Sequence, residues 1–246
     1  MHIDAILSPA ELPALARRDL RRTVCVVFDI LRATSTFVTA LHHGAAAIIP
    51  VSEIGEAVAL RRQHPNFLLA GERDGVKIRA AQSGGVDFDL GNSPREFTPA
   101  TVRGKTIVST TTNGTRALRA GAGARAVLAG SFLNLTATAR YLQPLAPSEI
   151  LLVCAGTGEG VALEDVLAAG ALAEQLSGNH SDAVLIARQV YARAQADLVA
   201  ALSSSQNGTR LCALPELRDD VAYCARRDSV SLVALADASG RLHAIA

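Results

Sequence analysis

The stretch TVCVVFDILRATSTF, residues 23–37, decides the architecture. Thr23–Phe28 is an unbroken apolar and β-branched run, the pattern of a strand buried on both faces rather than one alternating with solvent. Asp29 ends the run, and Ala33–His43 continues with helical spacing. Strand, polar turn and helix in that order form the unit of an α/β fold. The same design recurs in IVSTTTNGTRAL (107–118) and LLVCAGTGEGVALED (151–165).

Further units lie between and beyond these. Ala47–Val51 reads as a strand, with Ser52 capping a helix through Arg62 that stops at His64-Pro65. Phe67–Ala70 reads as a strand opening into a long polar stretch from Gly71 to Pro99. Lys105–Ser109, Ala126–Ala129 and Ile150–Cys154 read as strands. Helices are expected from Asn113 to Ala120, from a cap at Asn134 to Gln143, and over Leu163–Leu176. Ser181 opens a long helix to about Leu202, and the segment 203–208 (SSSQNG) reads as a flexible connection. A short helix near Asp219–Arg226 and a terminal hairpin, Ser231–Ala236 with Arg241–Ala246, complete the chain. The expected fold is layered α/β: a mostly parallel or mixed sheet with flanking helices. It forms one domain over residues 1–246, or two closely packed α/β subdomains meeting near 178–182.

Composition narrows the function classes. Hydrophobic residues are 49% of the chain and aromatics only 4%, so Ala, Val, Leu and Ile must fill the core. Net charge is +1 with no basic block, which argues against a nucleic-acid partner. The four cysteines form no CxxC pair, so neither a zinc site nor a disulfide framework is indicated. The first residues lack a signal-peptide pattern, and the longest apolar runs are too short to span a bilayer. A cytoplasmic protein without a membrane partner is expected, and its Ala-rich helix faces suit a homodimer.

Ligands of open α/β sheets bind beyond the carboxyl ends of strands, where helix N-termini favour anions. Three strand–turn–helix units meeting there would make an anion pocket. In the loop Thr110–Arg116, Asn113-Gly114 permits a left-handed nest; Thr111, Thr112 and Thr115 add donors, and Arg116 adds a planar fork. The same residues also make an ordinary turn and helix cap. Asp29 can bind a hard cation, act as a nucleophile, or simply cap the next helix. Glu72 and Arg73 in GERDG, and Asp87, Asp89, Asn92 and Ser93 in VDFDLGNSP, are site candidates or solvated turns. Glu164 and Asp165 are candidate Mg²⁺ ligands, or first-turn acids balancing the helix dipole. Cys154 is a nucleophile candidate or a small buried hydrophobe.

In order along the chain, VVFDILRATSTFVTAL (26–41), AGER (70–73), FDLGNSPREF (88–97), GKTIVSTTTNGTRAL (104–118), GSFLNLTATA (130–139), CAGTGEGVALEDVLAAG (154–170) and SSSQNGTRL (203–211) resemble the 2-phosphosulfolactate phosphatase family. The resemblance implies a Mg²⁺-dependent phosphoric monoester hydrolase converting 2-phosphosulfolactate to 3-sulfolactate and phosphate, a step of coenzyme M biosynthesis. With the residue reading, it places Asp29, Glu164 and Asp165 at the metal. Thr111, Thr112, Asn113, Gly114 and Thr115 are expected on the phosphate, with Arg73, Asn92 and Ser93 at the substrate. Asp29, Arg32, Glu72, Arg116 and Cys154 are the catalytic candidates, Arg32 and Arg116 holding the other acidic groups. A non-catalytic sensor of a phosphorylated metabolite and a phosphotransferase are the alternatives.

Overall fold

The computed structural model describes residues 1–245. Its strands are β1 His2–Ile6, β2 Thr23–Phe28, β3 Ala47–Pro50, β4 Leu68–Arg73, β5 Val76–Lys77, β6 Thr106–Thr110, β7 Ala126–Gly130, β8 Glu149–Cys154, β9 Asn179–His180, β10 Val233–Ala236 and β11 Leu242–Ile245. Its helices are α1 Leu12–Leu15, α2 Ala33–His42, α3 Ile54–Gln63, α4 Pro99–Val102, α5 Gly114–Ala120, α6 Leu135–Leu145, α7 Leu163–Ala173, α8 Asp182–Ala194, α9 Leu198–Ser204, α10 Gln206–Cys212 and α11 Arg218–Cys224. The strands form a mixed sheet in the order β5-β4-β6-β3-β11-β10-β7-β2-β8-β1-β9, flanked by helices. No helix among the described residues is long and apolar enough to cross a membrane.

The sheet has two parallel wings. In one, β2 pairs in parallel with β7 and β8, and β1 with β8 and β9. In the other, β6 pairs in parallel with β3 and β4. The terminal hairpin β10–β11 joins them by antiparallel pairing on both sides. Three successive reversals make the wings run in opposite senses, so in a flat sheet their carboxyl ends would lie at opposite edges. The joints are short, however: β11 meets β3 only at Leu242↔Ile48. Ladders this short let the sheet fold over, and α2 lies within the fold, packed against β7, β10, β11 and β3.

Side-chain alternation along the buried strands feeds separate cores. Val24, Val26 and Phe28 pack with Ile150, Leu152 and Cys154 against α6, α7 and α8. Cys25, Val27, Leu151 and Val153 face the other way and share a second core with Ile48, Ala70 and Ile107 of the opposite wing. Leu69 and Val108 point into a third core beneath α3. Each fully buried Val or Leu contributes roughly 1.5–3 kcal/mol relative to exposure.

Several local expectations are corrected. The first strand, His2–Ile6, was not anticipated: HIDAI has a charged interior position that hides its pairing with β8. Ser52 does not cap α3; Glu53 occupies that position, while the Ser52 hydroxyl accepts from Arg119. Asn134 makes no side-chain cap for α6 and instead closes a capping box with Ser131. The long helix from Ser181 is broken, because the Asp197 side chain accepts from the Ala200 N–H (2.9 Å) and restarts the chain as α9. Segment 203–208 is no flexible connection: Ser205 caps α10, accepting from the Gly208 N–H (3.0 Å). The hairpin forms, but Ala246, expected within it, lies outside the described residues.

Candidate active site

A cavity of about 380 Å³ opens where the turns after β2, β6 and β8 meet. They contribute Asp29, Leu31 and Arg32, then Thr112 and Asn113, then Gly156, Thr157 and Gly158. Glu72, Asp74, Gly75, Asn92, Glu164 and Asp165 line it as well, and α10 closes one side with Gln206, Asn207, Arg210 and Leu211. The fold-over of the sheet brings both wings here: β4 and β6 supply Glu72 and Thr112, while β2 and β8 supply the rest of the floor.

Asp29 divides its carboxylate between two tasks. Its Oδ1 accepts from the Ala33 N–H (3.1 Å) and so caps α2. Its Oδ2 faces Gly114, where an added Cβ would stand 2.6 Å from that oxygen. The glycine is therefore required by close approach. The nest expected at Asn113-Gly114 does not form: Asn113 has φ −116° and ψ −44°, and Gly114 is not among the residues with positive φ. Burial, with Glu72 and Glu164 as like-charged neighbours, pushes the Asp29 carboxyl up to about 7, against the pull of the Ala33 N–H.

Glu164 and Asp165 open α7 from the other side of the cavity. Glu164 is 1% exposed; Oε1 accepts from Asn207 (2.7 Å), and Oε2 is buried with no hydrogen-bond partner. Asp165 has both oxygens engaged, accepting from Ile30 N–H (2.8 Å) and Gly156 N–H (2.9 Å). It thus clamps the turns after β2 and β8 together. Burial, then Asp29 and Glu164, holds its carboxyl well above the usual range.

The remaining walls are cross-braced. Glu72 lies within β4 rather than after it; Oε1 accepts from Thr112 N–H and Oγ1 (3.0 and 3.1 Å), and Oε2 from Gly75 N–H (2.7 Å). Asn113 donates to the Ala155 and Gly158 carbonyls (2.8 and 3.0 Å), tying two turns together. Arg32 is 3% exposed and donates to Asp220 (2.8 Å) and to the Gly75 carbonyl (2.7 Å). Ser93 donates to the other Asp220 oxygen (2.7 Å), and Thr36 donates to the Asn92 carbonyl (2.8 Å).

Other sequence candidates fall outside the cavity. Arg116 pairs with Glu159 (2.5 Å), both exposed, and does not line the cavity. Arg73 donates to Thr110 Oγ1 (3.1 Å) and to the Glu72 carbonyl (2.7 Å), bracing β4 instead of facing substrate. Thr111 and Thr115 are buried and bond each other around the start of α5. Cys154 is fully buried, and burial followed by Asp165 pushes its thiol well above the ordinary value, which disfavours the thiolate form. Asp89 is spent on Arg61 (2.6 Å) and the Leu69 N–H (2.7 Å), and Asp87 on the Ala80 N–H (2.9 Å).

The family model for 2-phosphosulpholactate phosphatase matches residues 9–238. The chain belongs to that family. A protein of Symbiobacterium thermophilum named "Probable 2-phosphosulfolactate phosphatase" is 38% identical over 87% of this chain and 91% of its own length. One of the same name from Thermotoga petrophila is 38% identical over 92% of this chain and 91% of its own. A third, from Caldanaerobacter subterraneus subsp. tengcongensis, is 48% identical over 65% of this chain and 64% of its own. Membership makes the chain a phosphatase, a phosphoric monoester hydrolase.

The cavity and its surroundings include residues that the sequence patterns did not single out. Asn207 and Arg210 lie in or beside the Ser-rich segment 203–208, whose composition is that of a linker, and Ser205 as a helix cap is the local signal for α10. Asp220, fully buried under Arg32 and Ser93, carried no signal beyond its place in a helical run.

Proposed function

We propose that this chain is a Mg²⁺-dependent phosphatase that hydrolyses 2-phosphosulfolactate to 3-sulfolactate and phosphate, the chemistry of a coenzyme M biosynthesis step. The substrate follows the names of the relatives. One observation carries the metal: Asp29, Glu72 and Glu164 converge on one cavity, and the buried Glu164 Oε2 has no partner. Packing carboxylates together without a cation is costly, and hard oxygen donors suit Mg²⁺. Asp29 through Oδ2 and Glu164 through Oε2 are the residues that would hold it. Asp165, with both oxygens on backbone N–H groups, supports that position from behind. When bound, Mg²⁺ supplies charge neutralisation for the phosphoryl oxygens.

The protein's own groups orient and exclude. Arg32, held rigidly by Asp220, presents a fixed positive charge at the cavity floor where phosphoryl charge develops. Glu72 ties the Thr112 turn and the Gly75 turn to one carboxylate at the cavity wall. Phosphate release from 2-phosphosulfolactate tests the reading. Activity abolished by chelator, restored by Mg²⁺ and lowered at least about 100-fold in Asp29→Asn is expected. Release indifferent to chelator, or unchanged in Asp29→Asn, would overturn it, and tight binding without turnover would indicate a sensor.

A further inference from the structure

The cavity wall carries five carboxylates, Asp29, Glu72, Asp74, Glu164 and Asp165, against two guanidinium groups, Arg32 and Arg210. A substrate with several negative charges needs more than one cationic partner there, and Arg32, which on the reading above faces the phosphoryl group, already spends donors on Asp220 and Gly75. Arg73 and Arg116 bond elsewhere and do not line the cavity. Arg210 differs: it is exposed at the cavity wall, and its side chain has no hydrogen bond or ion pair among the described residues.

The platform beneath it is fixed. Asn207, one helical turn earlier on α10, donates to Glu164 Oε1 (2.7 Å) and Thr157 Oγ1 (2.6 Å). Positions three apart share a helix face, so Asn207 docked on the carboxylates sets Arg210 over the same opening. Leu211 is buried in the main core, and Gly208 packs against the Leu202 carbonyl so closely that no Cβ fits. An arginine fork on a rigid helix matches a carboxylate or sulfonate better than a mobile lysine would.

We propose that Arg210 binds the second acidic group of the substrate, a carboxylate or sulfonate beside the phosphate-bearing carbon, and thereby selects phosphorylated hydroxy acids over simple phosphate monoesters. The inference rests on the phosphatase reading above. The test compares the parent, Arg210→Ala and Arg210→Lys on 2-phosphosulfolactate, 2-phospholactate and isopropyl phosphate with Mg²⁺ present. Arg210→Ala is expected to lose roughly 10–100-fold in kcat/KM on 2-phosphosulfolactate, mostly through KM. Its loss on isopropyl phosphate should be at least tenfold smaller, with partial recovery in Arg210→Lys. A large loss on 2-phospholactate as well identifies the carboxylate as the group held; a small one identifies the sulfonate. Equal losses on all three substrates, or none on any, overturn the proposal. Calorimetric binding of 3-sulfolactate separates the two readings. If the parent hydrolyses nothing but binds 3-sulfolactate and Arg210→Ala does not, the phosphatase reading falls and the anion receptor stands. If the parent neither hydrolyses nor binds, both fall.

Discussion

Asp29 is at once a helix cap and a cavity-lining carboxylate, with one oxygen on the Ala33 N–H and the other beside Gly114. Its carboxyl is pushed up to about 7, against about 3.9 for an unperturbed Asp. Between those values the native state keeps a proton that the unfolded chain has released. The stabilisation is therefore complete below about pH 4 and is lost as pH rises through 7. Asp165, also held high, acts with the same sign. In chelator, Asn at position 29 removes the Asp29 share, so Asp29→Asn should gain on the parent by about 5 °C in Tm between pH 5 and pH 8. Scanning calorimetry across that range checks it, and parallel curves for the two proteins would contradict the assignment. The sequence placed Asp29 in a cleft from its position at a strand end. It could not show that burial, joined by Glu72 and Glu164 from distant parts of the chain, raises its carboxyl.

At the scale of elements, α10 is where sequence and structure part most. Serine-rich and Gly-containing, residues 203–208 have the composition of a linker. In the fold Ser205 caps the helix, and Gly208 permits contact with α9 that any side chain would block. Ser205→Ala should cost about 1 kcal/mol in chemical denaturation and also raise KM, because α10 carries Asn207 and Arg210 to the cavity. A stability loss with unaltered KM would mean that α10 does not position substrate. By contrast, the strands β2, β6 and β8 and the starts of the helices that follow them were readable to within a residue, because apolar runs ending in polar turns are a local signal. Helix α7, however, ends at Ala173, short of the expected Leu176.

Across the whole molecule, the β10–β11 hairpin fastens two oppositely directed wings, and the cavity takes residues from both. Leu235 pairs with Leu128 of β7, at the narrow joint. Leu235→Pro removes a ladder N–H there and should cost about 3 kcal/mol or more. Activity should fall before global unfolding in a urea titration, since separating the wings parts Glu72 and Thr112 from Asp29 and Glu164. Coincident loss of activity and far-UV signal would refute a separable joint.

The sequence by itself determined the α/β class, the buried strands and the three polar turns at strand ends, since each depends on residues near one another in the chain. Its ordered motifs also identified the family. Tertiary structure alone decided how Glu72, from the wing that runs the opposite way, comes to face Asp29 and Glu164. It also decided that Arg116 and Cys154 stand away from the cavity while Asn207 and Arg210 stand in it. The physical reason is range: strand and turn propensities act over a few residues, whereas the meeting of charges across a folded sheet depends on pairing between segments far apart in the chain.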